Sequence, residues 1–102
     1  MEGPYPLTLD SLESFVGRSP GAYIILGTNN KGVYVGRSDD DLRGKMKQHA
    51  PNPILRFFFE HTRTAMDAYN LECLWYHQYE PQEKVIHPGK SHSVWSCLAC
   101  GQ

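Results

Sequence analysis

The sequence predicts an α/β domain of the α+β kind: a small three-stranded, mainly antiparallel sheet flanked by helices, in the order α-β-β-α-β-α. Three observations lead there. Two short β-rich runs, 22–27 and 33–37, are separated only by Thr28-Asn29-Asn30-Lys31-Gly32, a hairpin signal because Asn and Gly tolerate positive φ. A third β-rich run, 54–61, returns after a helical stretch, and the segments around these runs carry apolar residues at helical spacing. The chain has 102 residues, enough for one domain, and its 40% hydrophobic and 21% charged content exclude wholesale disorder.

The first helix is read from Leu9, Leu12, Phe15 and Val16, with Gly17 placed to end it in the left-handed conformation and Ser19-Pro20-Gly21 breaking the chain. The hairpin follows. Ser38-Asp39-Asp40-Asp41 then reads as a Ser-capped helix start with acids near its positive end, and the helix should run to about Ala50, before Pro51 and Pro53. Residues 54–61 (Ile-Leu-Arg-Phe-Phe-Phe-Glu-His) form the third strand. Thr64-Ala65-Met66-Asp67 opens the longest helix, which runs to about Tyr79 and stops before Pro81. Residues 1–82 form the domain and 83–102 a Cys/His tail.

Net charge is −1, which excludes a chain that grips nucleic acid by bulk charge. The charge is uneven, however. Residues 42–66 hold five basic side chains (Arg43, Lys45, Lys47, Arg56, Arg63) against Glu60 alone. Such a band is either a solvated face or a contact for a few phosphates. Met1-Glu2-Gly3-Pro4 carries no basic-then-apolar signal, and no run approaches the ~18 apolar residues of a membrane helix. A soluble cytoplasmic protein without a membrane partner is expected, and three cysteines suit a reducing compartment.

Tyr23 and Tyr34 sit one in each hairpin arm, each two residues from a glycine, Gly21 and Gly36. Their rings share a face only if opposed residue numbers sum to an odd value. The pattern Gly21-Ala22-Tyr23, ten residues, Tyr34-Val35-Gly36-Arg37 resembles the GIY-YIG nuclease superfamily. The likeness continues through a short basic helix ending in His49, the strand at 54–61, and Ala68-Tyr69-Asn70-Leu71-Glu72 in the long helix. The resemblance implies cleavage of phosphodiester bonds with one divalent metal, Mg²⁺ or Mn²⁺, on a nucleic-acid partner, DNA ahead of RNA. It implies Tyr23 as general base, Tyr34 as its partner at the attacking water, and Glu72 as metal ligand. Arg37 and His49 fall at phosphate-facing and auxiliary positions.

Where the family usually carries an essential arginine, this chain has Lys45, by alignment on Leu42, Met46 and His49. Lysine keeps the charge but loses the bidentate fork on phosphate. Lys45 and His49, one turn apart, should border the sheet while Arg43 and Lys47 point outward, although Arg43 is a further candidate at the scissile phosphate. Glu72 falls on an aromatic and apolar helix face, where a carboxylate is costly unless paired, metal-bound or reaching solvent at the edge.

The tail holds His87, His92, Cys97 and Cys100, four ligands of the kind a structural zinc takes, with Trp95 available to pack it against the domain. A redox pair or incidental cysteines is the alternative. The sequence therefore supports a metal-dependent nuclease first, then a non-catalytic nucleic-acid-binding module on the same fold. A zinc-stabilised interaction domain is third. Within 102 residues no separate DNA-reading domain fits, so specificity would come from a protein partner, a dimer or nucleic-acid shape.

Overall fold

The computed structural model describes residues 2–27 and 32–79, together with Ser91 and Trp95. The turn at 28–31 and the tail ligands His87, His92, Cys97 and Cys100 lie outside the described residues. The elements in chain order are β1 (Glu2–Leu7), α1 (Leu9–Phe15), β2 (Gly21–Leu26), β3 (Gly32–Ser38), α2 (Leu42–Met46), β4 (Asn52–His61) and α3 (Ala65–Tyr79). The sheet has four antiparallel strands in the order β1-β4-β2-β3, not three.

The extra strand is β1. Gly3, Pro4 and Pro6 read as strand breakers, and proline cannot donate to a ladder. The sheet accommodates them by placing β1 at its edge, paired only with β4, with register shifts on either side of Tyr5 and Pro6. Gly3 has φ 121°, and a Cβ there would lie 2.6 Å from the Phe57 carbonyl oxygen, so the bulge admits only glycine. Leu7 is fully buried, and Tyr5 stacks on Phe15 of α1 with ring centroids 4.1 Å apart.

β2 is central and buried along its whole length, because helices cover both faces. Side-chain alternation splits the core in two. Tyr23 and Ile25 pack with Leu7, Leu12, Val16, Leu42, Met46, Phe57 and Phe59 on the face covered by α1 and α2. Ala22, Ile24 and Leu26 pack with Val35 and Trp75 on the face covered by α3. Each large aliphatic or aromatic side chain buried this way contributes about 1.5–3 kcal/mol.

Two helix ends differ from expectation. α1 ends at Val16 in extended conformation (φ −100°, ψ 127°), and Gly17 is not left-handed. Gly17 instead donates its N–H to His61 Nε2 (2.9 Å) on β4, and a Cβ there would come within 3.2 Å of that nitrogen. At α2 the cap is Asp41, whose carboxylate accepts from the Gly44 N–H (3.0 Å), while Ser38 Oγ closes the preceding turn by accepting from the Asp41 N–H (2.8 Å). The helix proper is five residues, followed by a turn to His49. Thr64 caps α3 as expected, its Oγ1 accepting from the Asp67 N–H at 3.1 Å. Among the described residues no helix is long and apolar enough to cross a membrane.

Candidate functional site

The register Tyr23↔Gly36 and Ile25↔Tyr34 sums to an odd number, so both tyrosines lie on the α1/α2 face, with ring centroids 6.0 Å apart. Tyr23 crosses Gly36, and a Cβ on Gly36 would fall 2.5 Å from the Tyr23 hydroxyl oxygen. Glycine is therefore required at 36 so that the Tyr23 ring can lie flat across β3. The Tyr23 hydroxyl hydrogen-bonds His49 Nε2 at 2.8 Å, and the His49 ring also lies against Tyr34 (4.8 Å). The turn after α2 delivers His49, its N–H donating to the Met46 carbonyl at 3.0 Å.

Arg37 alternates to the opposite face of β3, where α3 packs. Its Nη1 donates to Glu72 Oε1 at 2.6 Å and its Nε to Asp39 Oδ1 at 2.8 Å. Glu72 is 2% exposed and Arg37 half-buried over it, and charge-assisted bonds of this length are strong. Burial alone would lower the affinity of Arg37 for its proton, but the bonds to Asp39 and Glu72 outweigh it and raise the value.

β3 is the outer strand, so a single cleft of about 410 Å³ can wrap its edge and draw on both faces. Tyr34, Gly36 and Lys45 line it from one side, and Arg37 and Glu72 from the other, with Ser38, Asp39 and Asp40 closing the end. Tyr34 is half-buried at the cleft while Tyr23 is wholly buried behind it. Burial foremost, then the neighbouring Tyr34 and the charge of Glu72, push the Tyr23 phenol well above its ordinary value. Tyr23 therefore keeps its proton at neutral pH in this state.

Of the expected site residues, Tyr23, Tyr34, Arg37, Lys45, His49 and Glu72 come together and Arg43 does not. Arg43 Nε donates to the Val16 carbonyl at 2.7 Å and its Nη1 pairs with Glu13 at 3.3 Å, while Lys47 also pairs with Glu13. These two cations tie α2 to α1, so the basic band is not one continuous patch. Lys45 and Arg43 diverge as the helical spacing requires. Asp39 and Ser91 are partners that sequence reasoning missed, whereas Trp95 packs against the domain as expected, on Tyr69, but its place beside Arg37 was not anticipated. The spacing Arg37-Ser38-Asp39 at a strand end was the available signal for the first, because residues two apart share a side.

Carboxylate oxygens are the donors that a hard divalent cation takes. The cleft holds three carboxylates, Asp39, Asp40 and Glu72, against two cations, Arg37 and Lys45, which leaves one negative charge in excess. A phosphodiester would meet net repulsion there unless a divalent ion reversed the sign. Among the described residues no group of three or more His, Cys, Asp or Glu could hold a metal. Glu72 would thus act with water and phosphate oxygens, the coordination Mg²⁺ commonly accepts. A carboxylate offers about four lone-pair sites, and the bond from Arg37 Nη1 is accepted at one of them.

The chain matches no protein-family model and no curated protein.

Proposed function

We propose that this chain is a metal-dependent endonuclease of the GIY-YIG kind that hydrolyses phosphodiester bonds in nucleic acid, with DNA ahead of RNA as substrate. The observation that carries the reading is the convergence of Tyr34, Lys45 and Glu72 on one cleft, with Tyr23 and His49 hydrogen-bonded behind it. Glu72 would hold Mg²⁺ or Mn²⁺, which when bound polarises the scissile phosphate and lowers the pKa of bound water. Lys45 places a compact positive charge on the phosphate side of the cleft.

Tyr23 relays a proton rather than keeping one. Tyr34 lines the cleft and would meet the attacking water; the rings of Tyr23, Tyr34 and His49 form one mutual cluster, with the Tyr23 hydroxyl hydrogen-bonded to His49. As water gives a proton to Tyr34 Oη, Tyr34 passes one to Tyr23 Oη, and Tyr23 passes one to His49 Nε2. Hydroxide, two neutral tyrosines and an imidazolium result. Imidazole accepts a proton near neutrality and phenolate does not persist there, so the histidine supplies the basicity. Arg37, already engaged by Asp39 and Glu72, holds the carboxylate instead of meeting phosphate.

The test is cleavage of linear and branched DNA and RNA with Mg²⁺ or Mn²⁺. Wild type should cut, and Glu72→Gln should not. The amide is preferred to Glu72→Ala because removing one member of a buried ion pair costs about 3–5 kcal/mol and would confound folding with activity. Equal cutting by the variant, or in excess chelator, would overturn the reading. Binding without cutting by wild type would leave the non-catalytic module.

A further inference from the structure

Arg37 is held by more than Asp39 and Glu72. Its Nη2 donates to Ser91 Oγ at 3.1 Å, and Ser91 Oγ in turn bonds Asp39. The guanidinium carbon lies 5.1 Å from the centroid of the Tyr69 ring and 5.7 Å from that of Trp95. Those two rings touch each other with centroids 5.3 Å apart, and Trp95 is only 7% exposed. Each nitrogen of the guanidinium thus has an acceptor, and two aromatic rings flank the group. Ser91 and Trp95 both lie in sequence beyond α3 and beyond the hairpin-to-helix pattern that suggested the site.

We propose that Trp95 and Ser91 are positioning residues of the cleft, which hold the Arg37 guanidinium still and through it fix the Glu72 carboxylate. The role of Glu72 rests on the nuclease reading; the clamp on Arg37 does not. Tyr69 and Glu72 are three residues apart on α3 and so share a side, which sets the ring beside the charge pair. An arginine side chain has several rotatable bonds, and ordering it during folding removes that cost from fixing the Glu72 carboxylate when a metal binds. The Trp95 ring also keeps water from the Arg37–Glu72 pair, where a lower dielectric strengthens the attraction. Cation–aromatic contact adds to it. A loosened Arg37 would let the carboxylate swing away from the cleft wall.

The experiment follows the Arg37 Nε–Hε signal by NMR, identified by its loss in Arg37→Lys, beside the Mn²⁺ concentration that gives half-maximal cleavage. In wild type the Nε–Hε proton should exchange slowly with water. Trp95→Ala should lose most of that protection and raise the Mn²⁺ requirement about ten- to a hundredfold, the usual effect of removing a residue that orients a metal ligand. Trp95→Phe should restore both. Ser91 is exposed, so Ser91→Ala keeps the fold and should shift both readouts the same way by less. If Trp95→Ala fails to fold, Ser91→Ala decides. A folded Trp95→Ala or Ser91→Ala with unchanged Arg37 exchange would overturn the clamp. A wild type that neither cuts nor binds Mn²⁺ would remove the nuclease reading, and the exchange measurement would still decide the clamp.

Discussion

Gly36→Ala tests the packing that brings the two tyrosines to the cleft. The new Cβ would lie 2.5 Å from Tyr23 Oη, 2.6 Å from Cζ and 2.9 Å from Cε1. Ordinary carbon contacts are about 3.5–4.0 Å, so the ring must retreat by about 1 Å. Tyr23 is wholly buried among Met46, Phe59 and their neighbours and has no room to retreat into. Overpacking of this kind costs about 1–3 kcal/mol. Alanine recovers about 0.5–1 kcal/mol by restricting the unfolded chain, so the mid-range net loss is about 1 kcal/mol. At roughly 4–8 °C per kcal/mol for a domain of this size, Tm should fall by about 4–8 °C. The same displacement would stretch the Tyr23–His49 bond from 2.8 Å past hydrogen-bonding range. Thermal melts followed by circular dichroism read the first effect. Tyr23→Leu removes all three clashing atoms, so Gly36→Ala should cost almost nothing in that background. An unchanged or raised Tm in the single variant, or a full cost in the Tyr23→Leu background, would refute the packing argument.

Tyr23→Phe should cut cleavage sharply while costing only about 0.5–1.5 kcal/mol of stability. Because the native state raises the Tyr23 value, its contribution is complete below pH ~10 and is lost as pH rises above that, at up to ~1.4 kcal/mol per unit. Urea midpoints from pH 9 to 11.5 should therefore fall more steeply in wild type than in Tyr23→Phe, and parallel curves would contradict the burial of this phenol. Lys45→Ala should lose cleavage, and Lys45→Arg keep or raise it. Arg43→Ala should cut normally and lose a little stability, because its partners are Glu13 and the Val16 carbonyl. Fatal loss in Arg43→Ala with a silent Lys45→Ala would reverse the assignment. Protein purified without chelator should carry about one zinc on His87, His92, Cys97 and Cys100, read by elemental analysis; a zinc-free protein would remove that site.

The parts of this fold legible in the sequence are those set by short-range rules. The helical and strand periodicities of α1, β2, β3 and α3 depend on neighbours a few residues apart; the odd-sum condition for Tyr23 and Tyr34 to share a face is equally local, but the register that meets it, Ile25 opposite Tyr34, came only with the paired strands. β1 was not legible, because Gly3, Pro4 and Pro6 break a strand unless the sheet offers an edge, and the edge exists only once β4 has been placed. Gly17 likewise answers to His61, forty-four positions away, rather than to the helix it follows. In the site, helical spacing separated Lys45 from Arg43 and the structure agrees. The pairing of Glu72 with Arg37 needed the crossing of β3 and α3, which periodicity does not give. Ser91 and Trp95 fell within a segment whose cysteines and histidines were the more conspicuous chemistry.

The position of β4 carries a consequence for synthesis. β4 inserts between β1 and β2, joining Tyr5 to Phe57 and Tyr23 to Phe59, whereas β2 and β3 meet through a local hairpin. On the ribosome the hairpin can therefore close early. β1 and the inner edge of β2 must wait until the chain has emerged through His61, where their shared partner ends. Until then the nascent chain presents one open edge of its central strand, and contacts this distant in sequence form slowly. Fragments released before Phe57 should remain protease-sensitive and bind holding chaperones. Those extended through α3 should acquire protection in one cooperative step.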